Sequence, residues 1–560
     1  MKRLVLILLV VAVLIGAGIY FFCCRGAAVS GAKFVPADTV LFLALPDMPR
    51  TDERWPKTAL AQIGAEPTVA DFLAQPIQKL TEGGGAEAKE ILTKLDPKQM
   101  FFALTAVRRS AAPHVLLGFE YSGKSEDLDA AFSRLYAQAG KMGPGFAQTS
   151  ADFKGDKVTA LTTGSKPVLY TAAHGKWAFL SNDESSIQQA LDRVSGRDNS
   201  PSLAGTDEYK KVLSHLAKEP DFLWYSMPTP IFKLLMEVSK DQPGSNPAAF
   251  KQLEKMKALG GTLVFEGGDQ RELTFILYPE APKLSPIDRG PMALTTPGTS
   301  FFLDSAMDTK TISTDEYFQS LPPAAQTFLT NAKIDLKQIP EILGTDAGFL
   351  MDWPVSAFIP NTLVAIEIKD RARAQALIQS TLTGFGLDAT PSESNGAAIF
   401  HFPAAQLVEP SIAVTDKFVL GSLTAGELTR ALTVKPGSPT LETAADFKPA
   451  LSAYKKAGVA FGYVDSKALF ERIYNMIRPM AILLGAGSPQ LAQVVDVKKL
   501  PETGVISSHL SPILYTNDQT SDGILIESSG PITLSQAFAI VVIGGAAGFA
   551  AQSQMAGGMH

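Results

Sequence analysis

Cysteine and histidine are scarce in this chain. The 560 residues contain 2 cysteines, Cys23 and Cys24, and 6 histidines that never recur at the i, i+2 or i, i+4 spacing of a metal site. We therefore predict that the body of the protein has no disulfide, no thiolate site, no metal site and no other cofactor.

Charge is also low and has no basic excess. Charged residues make up 19% of the chain, the net charge is -6 and the pI is about 5.7. A nucleic-acid-binding surface needs clustered Lys and Arg side chains, so nucleic acid is excluded as a partner. The G-x-S-x-G motif of serine hydrolases does not occur either, and we predict no catalytic residue.

What the chain does contain is an internal repeat. Residues 174–191 (HGKWAFLSNDESSIQQAL) are echoed by residues 415–432 (TDKFVLGSLTAGELTRAL). Further pairs follow at matching spacing: Leu203 with Leu441, Tyr209 with Phe447, Leu213 with Leu451, Tyr225 with Tyr463 and Phe232 with Phe470. A repeat of this length predicts two copies of one fold.

The N-terminus carries an uncharged apolar run, Leu4 to Phe22, long enough to cross a hydrocarbon core of about 30 Å. We expect residues 1–29 to be a membrane anchor, because the run exceeds the roughly 7 to 15 apolar residues of a signal peptide and ends in aromatic residues. A cleaved signal peptide, with Ser30 and Ala32 forming the cleavage site, stays open as the alternative. Lys2 and Arg3 place the N-terminus in the cytoplasm, and therefore the body in the periplasm or an equivalent exterior space beyond the inner or plasma membrane.

The C-terminal segment, residues 528–560, is rich in Gly and Ala and contains an apolar stretch from Ala537 to Ala551. Gly544 and Gly548 form a G-x-x-x-G pattern that packs helices together in lipid. The segment is either a second membrane helix or an interfacial or disordered tail.

Between these ends, the pattern of elements predicts an α+β fold. Short β-rich runs such as Phe101 to Val107 and Val115 to Tyr121 occur in adjacent groups, and amphipathic stretches such as Asp127 to Ala139 separate the groups. This order favours mixed, mainly antiparallel sheets with helices. Prolines and charge at Ala281 to Gly290 interrupt the pattern, so we predict two repeat domains, residues 30–285 and 286–527.

An extended opening, Phe34-Val35-Pro36-Ala37-Asp38-Thr39, follows the apolar run and precedes the repeated halves. In these features the chain resembles an uncharacterised family of bacterial membrane-anchored envelope proteins carried as a domain of unknown function. The resemblance covers about residues 30–480 and implies no particular catalytic or binding residue. The second half departs from the opening, with Pro297-Gly298-Thr299 in the matching place.

One motif matches a nucleotide-binding pattern. Residues 118–125 (GFEYSGKS) fit the P-loop consensus through Gly118, Gly123, Lys124 and Ser125. The matching residues of the second half, Ile366-Glu367-Ile368, continue as a strand without a glycine pair. We interpret the match as a chance one, in which a strand ends, Gly123 makes a turn and Ser125 caps a helix.

A second local feature is Asp352-Trp353-Pro354, which could expose an aromatic ring to a ligand. A tryptophan beside a strand is more often part of the core, so we expect Trp353 to be buried.

Two classes of function fit these observations. The first is a non-enzymatic binding or scaffolding module, anchored in the membrane by Leu4 to Phe22 and facing the periplasm, with an envelope protein or lipid as partner. The alternative is an extracytoplasmic enzyme whose site is assembled from dispersed residues. The absence of a catalytic motif in the sequence favours the first class.

Overall fold

The computed structural model describes most of the chain between residues 31 and 536. The described ranges are 31–81, 85–108, 112–141, 145–164, 166–239, 254–387, 390–402, 408–454, 458–486 and 496–536. The predicted anchor at Leu4 to Phe22 and the apolar stretch from Ala537 to Ala551 lie outside them. Among the helices that are described, none combines the length and the apolarity needed to cross a membrane.

The described residues divide between two compact units. Unit 1 comprises the described residues within Met1–Ser245, Gln252–Pro279 and Ile482–Pro501. Unit 2 comprises the described residues within Asn246–Lys251, Glu280–Ala481 and Glu502–His560.

Unit 1 is built on an antiparallel sheet. Its strands are β1 (Leu41–Leu45), β2 (Pro97–Ala106), β3 (His114–Tyr121), β4 (Phe146–Phe153), β5 (Asp156–Thr163), β6 (Lys166–His174), β7 (Trp177–Ser181), β8 (Phe222–Ser226), β9 (Ala258–Glu266) and β10 (Asp269–Leu277). They pair in the order β10-β9-β8-β1-β2-β3-β7-β6-β5-β4. The first strand of the unit is therefore internal, between strands from early and late parts of the chain.

Unit 2 is also built on an antiparallel sheet. Its strands are β11 (Thr299–Ala306), β12 (Leu343–Asp352), β13 (Asn361–Ile368), β14 (Ser392–Ser394), β15 (Ala397–His401), β16 (Ser411–Val414), β17 (Phe418–Ser422), β18 (Ala460–Val464), β19 (Ile513–Gln519) and β20 (Gly523–Gly530). They pair in the order β20-β19-β18-β11-β12-β13-β17-β16-β15-β14. This is the order of unit 1 when β1 is matched to β11, β2 to β12 and so on.

Helices occupy the connections between groups of strands. In unit 1 they are α1 (Met48–Arg54), α2 (Ala59–Ala65), α3 (Pro67–Thr81), α4 (Gly85–Leu95), α5 (Ser125–Lys141), α6 (Glu184–Val194), α7 (Asp207–Ser214) and α8 (Thr229–Ser239). The later helices are α9 (Thr309–Ile312), α10 (Asp315–Ser320), α11 (Pro323–Asn331), α12 (Ile339–Ile342), α13 (Arg371–Gly384), α14 (Ala425–Leu432), α15 (Leu451–Tyr454), α16 (Ser466–Ala486) and α17 (Thr503–Ser507). The predicted α+β class with mainly antiparallel strand pairing is confirmed.

A cross-strand aromatic pair joins the first strand of each unit to a late strand. Phe42 is opposite Tyr225 in unit 1, and Phe302 is opposite Tyr463 in unit 2; all four side chains are buried. The tyrosine meets a further ring edge to face, Tyr209 at 5.2 Å in unit 1 and Phe447 at 5.0 Å in unit 2. Each set joins an inner strand to the segment that packs over it.

The extended opening identified in the sequence forms a turn before β1. The carbonyl oxygen of Pro36 accepts hydrogen bonds from the backbone N–H of Thr39 at 3.2 Å and from its hydroxyl at 2.6 Å. Before β11, the N–H of Thr299 donates to the carbonyl of Thr296 at 3.1 Å. A threonine thus closes the turn in both units, although the intervening residues differ.

Burial of the repeated leucines splits into two groups. Leu203 and Leu441 are fully buried, whereas Leu213 and Leu451 are only half-buried. The residues that precede them, Val212 and Ala450, are buried instead. The buried face of α7 therefore contains Val212 and not the repeated Leu213.

We expect Leu203→Ala to lower the free energy of unfolding by about 2 to 5 kcal/mol, because it leaves a cavity among buried neighbours. Leu213→Ala is the matched control and should cost less than about 2 kcal/mol, since its side chain already contacts solvent. Chemical unfolding of the two variants measures both values. Equal costs would contradict this description of the core.

Candidate functional site

The residues of the P-loop pattern lie in a strand and a tight turn. Gly118 is in the middle of β3, opposite Phe101 on one side and Phe179 on the other. A Cβ atom at residue 118 would lie 2.3 Å from the ring of Phe101, so a glycine is required there by aromatic packing.

Gly123 is also explained by close packing. Its N–H donates to the carbonyl of Leu95 at 3.0 Å, and a Cβ atom would lie 2.2 Å from the carbonyl oxygen of Lys94. Lys124 is exposed, and Ser125 begins α5. A phosphate cradle needs consecutive loop amides directed at a ligand, so the interpretation of the pattern as a chance match stays the simpler one.

Histidine and carboxylate groups meet on the surface of unit 1. Asp156 lies 2.8 Å from Nδ1 of His174 through one oxygen and 2.7 Å from Arg197 through the other. Burial works in the opposite direction, yet the hydrogen bonds from His174 and Arg197 hold the pKa of Asp156 below its ordinary value. Arg197 also donates to the carbonyl of Lys154 at 2.9 Å, so this network fastens the β4–β5 turn.

Buried carboxyl groups meet in unit 2. Asp304 on β11 and Asp346 on β12 are 0% and 1% exposed and point to the same side of the sheet. Asp288 approaches from the preceding segment, and the N–H of Gly290 donates to Asp288 at 2.6 Å and to Asp346 at 3.4 Å. Among the described residues, no group of His, Cys, Asp and Glu side chains is arranged to hold a metal ion.

These carboxyl groups share protons. Burial and the neighbouring Asp288 and Asp304 raise the pKa of Asp346 to about 9, while the hydrogen bond with Asp346 lowers the pKa of Asp288. Asp346 is therefore protonated at neutral pH. Asp304 and Asp346 are buried, although Asp288 is exposed, so we assign the buried pair to the interior of unit 2, where the Asp346 proton makes stability depend on pH.

A cavity in unit 2 is lined in part by Lys333, Asp335 and Arg373 and has a volume of about 150 Å³. Ligand sites commonly have volumes of about 300 to 1,000 Å³, so this cavity is small for an organic substrate.

The most unusual surface of unit 2 lies along α16. Ile473, Met476, Ile477 and Met480 recur at three- and four-residue spacing, and all four side chains are exposed, Met480 to 57%. At about 100° per residue they share one side of the helix, which we call the α16 stripe. An amphipathic helix normally turns such a side toward a core.

The hairpin end between β12 and β13 exposes two more large apolar side chains. Val355 is 80% exposed and Phe358 69% exposed; residues 353–360 are called the 353–360 tip below. Trp353 is only half-buried, contrary to the expectation of a core residue, and its Nε1–H donates to the carbonyl of Ala357 at 3.1 Å.

A hydrogen bond joins the two elements. Nε of Arg472, beside the α16 stripe, donates to the carbonyl oxygen of Trp353 at 3.1 Å. The α16 stripe and the 353–360 tip therefore lie on neighbouring elements of unit 2, and together we call them the apolar surface. Exposed apolar area concentrated in one region of a folded protein marks a site of interaction with a protein, a ligand or a membrane.

Comparison with known proteins gives a family but no activity. Residues 4–340 match the family described as "Protein of unknown function (DUF3352)", and no curated protein matches.

Among solved structures, crystal form III of TP0453 is similar at 12% identity and a TM-score of 0.25, covering 45% of this chain and 81% of that chain. Crystal form I of TP0453 is similar at 14% identity and a TM-score of 0.25, covering 46% and 82%. At this score the likeness carries no structural argument.

Replacement of Asp346 by asparagine tests the assignment of the carboxyl cluster. The folded state keeps the Asp346 proton up to about pH 9, whereas the unfolded chain releases it near pH 4. The free energy of unfolding should therefore fall as the pH rises from about 4 to 9. Asp346→Asn removes this loss and should be more stable than the native chain by about 1 to 3 kcal/mol at pH 8.

Chemical unfolding of the full chain at about pH 5 and about pH 8 measures the difference. Glu316→Gln removes an exposed carboxylate of the same unit and serves as control. If the stability difference between Asp346→Asn and the native chain were the same at both pH values, the raised pKa would be wrong.

Proposed function

The chain belongs to the DUF3352 family of proteins of unknown function, and from that premise we propose that it is a membrane-anchored envelope protein whose body is a non-enzymatic binding or scaffolding module facing the periplasm. The observation that carries the proposal is the apolar surface of unit 2, formed by the α16 stripe and the 353–360 tip. Exposed side chains of this size are costly in water unless a partner covers them.

The body is, in this proposal, two copies of one α+β domain, residues 30–285 and 286–527. Three observations support the duplication: the identical strand order, the same aromatic pair between an inner strand and a late one, and the threonine-closed turn before each inner strand. Phe222–Ser226 and Ala460–Val464 take matching places as β8 and β18. Two unrelated sheets would not be expected to share order and register together.

Membrane anchoring is supported by the sequence. Leu4 to Phe22 has the length and apolarity of a spanning helix, and Lys2 and Arg3 favour a cytoplasmic N-terminus. In this topology the partners are envelope lipids or other envelope proteins.

Binding is favoured over catalysis by the kind of groups at the surface. The buried Asp304 and Asp346 are out of reach of a substrate, whereas Met480 and Phe358 present apolar area to whatever lies outside. Burial of apolar area drives association and requires no catalytic group.

A photo-crosslinking residue in place of Met480, introduced into the full chain in cells, should form adducts because the α16 stripe is covered in its native setting. The matched control is the same residue in place of Lys467, which is exposed on the polar side of the same helix. Electrophoresis and mass spectrometry compare the adducts. Equal yields at the two positions would contradict a binding role for the apolar surface.

Topology is tested separately. Protease added to spheroplasts should degrade the body while an N-terminal tag is protected, since the anchor places the two on opposite sides of the membrane. Degradation only after lysis would invert the orientation.

A further inference from the structure

The two parts of the apolar surface are a helix side and a hairpin end. Phe358 and Val355 are the most exposed apolar side chains of the 353–360 tip, and Met480 that of the α16 stripe. Helices that lie in a membrane interface present an apolar side of this kind and place aromatic rings at the headgroup level. Phe358 and the half-buried Trp353 supply such rings.

The proposed N-terminal anchor keeps the chain at a bilayer, and the inference rests on that proposed anchoring. Phe22 ends the apolar run and Gly31 is the first described residue. The intervening segment, fully extended, spans at most about 30 Å. Gly31 belongs to unit 1 and unit 2 continues the same chain, so contact between unit 2 and the bilayer is an intramolecular event and a modest affinity is sufficient.

The charges near the surface indicate which lipids are needed. Helix α16 carries Lys467, Arg472 and Arg478 against Glu471, and Arg478 pairs with Glu502 at 2.6 Å, which leaves only a small local excess of positive charge. The chain as a whole carries a net charge of -6. Attraction to anionic headgroups therefore contributes little, and burial of apolar side chains has to supply the affinity.

We infer that the α16 stripe and the 353–360 tip insert together into the interfacial layer of the bilayer that holds the anchor, by apolar contact that does not depend on anionic lipid. The occupant of the surface is thus the membrane itself, and insertion fixes unit 2 against it at a second point. Salt should not weaken this contact, because screening acts on charge and not on apolar burial.

The test uses the full chain with Cys23 and Cys24 replaced by serine and one new cysteine carrying an environment-sensitive fluorophore, at Phe358, Met480 or Lys467. The protein is reconstituted into phosphatidylcholine vesicles, with and without added phosphatidylglycerol. Flotation reports the anchor. Quenching by doxyl-labelled lipid reports insertion of the fluorophore, and quenching by aqueous iodide reports exposure.

We expect the labels at Phe358 and Met480 to be quenched several-fold more by doxyl lipid than the label at Lys467, equally in both lipid mixtures and at high salt. Flotation with iodide quenching at all three positions would overturn insertion while leaving the anchor intact. Shielding from iodide without doxyl quenching would mean that protein, such as a second copy, covers the surface, which also overturns the inference. Quenching only with phosphatidylglycerol would refute the apolar mechanism, and absence of flotation would refute the proposed anchoring instead.

The exposed positions allow the labels without loss of fold, and circular dichroism of each labelled protein verifies it. A second variant, Met480→Ser with Ile477→Ser, measures the same contact without a fluorophore at the stripe. It should reduce doxyl quenching of the label at Phe358, because the two elements are joined through Arg472. Unchanged quenching would show that the 353–360 tip inserts without α16 and would overturn joint insertion.

Discussion

The aromatic pair between the first strand and a late strand of each unit is the constraint on which the rest of the architecture depends. Phe42 with Tyr225, and Phe302 with Tyr463, hold the inner strand against a strand that comes much later in the chain. A one-residue slip of either strand would turn its ring to the opposite face of the sheet, away from the segment that covers it. Because Tyr209 and Phe447 pack edge to face on these tyrosines, the same contact also fixes the covering segment.

Around this shared aromatic pair, the two units fill their interiors differently. Unit 1 places Phe101 next to Phe42, and Gly31 leaves room for its ring, since a Cβ atom there would lie 2.3 Å away. Unit 2 has Gly348 at the matching place, where Pro291 occupies the space, with Asp304 and Asp346 nearby. Replacement of aromatic area by carboxyl groups lowers the apolar burial of unit 2. The same strand order therefore accommodates an aromatic ring at this place in unit 1 and carboxyl groups in unit 2.

Much of the strand pattern could be predicted from the sequence, because short β-rich runs between turn residues are a local signal. The strand predicted over Val115 to Tyr121 is found as His114–Tyr121, and the helix predicted over Asp127 to Ala139 extends by about one turn in total as Ser125–Lys141. Strands β4, β9 and β10 are among those that were not predicted. Exposed polar side chains along β4 and glycines within β9 weaken the alternation on which such predictions depend.

The apolar surface was missed for a different reason. Ile473, Ile477 and Met480 have the spacing of a core-facing helix side, and periodicity does not tell a buried side from an exposed one. Only the tertiary structure shows that this side faces outward. The burial of Trp353 was wrongly predicted for the same reason. Trp353 lies at a hairpin end that contacts Arg472 of a helix distant in sequence, and the local sequence does not predict such a contact.

The strand order has a consequence for how the chain acquires its structure. In each unit the first strand is internal, and one of its two neighbours comes from a late part of the unit's sequence. Ala44 pairs with Leu223, and Asp304 pairs with Phe461. Contacts of such long sequence separation close large loops before any pairing energy is gained, which slows folding. Until β8 or β18 is available, one edge of the inner strand remains open to other chains. Both units should therefore be slow folders that are prone to aggregate while incomplete, and they would gain from a chaperone that shields β1 and β11 until the late strands arrive.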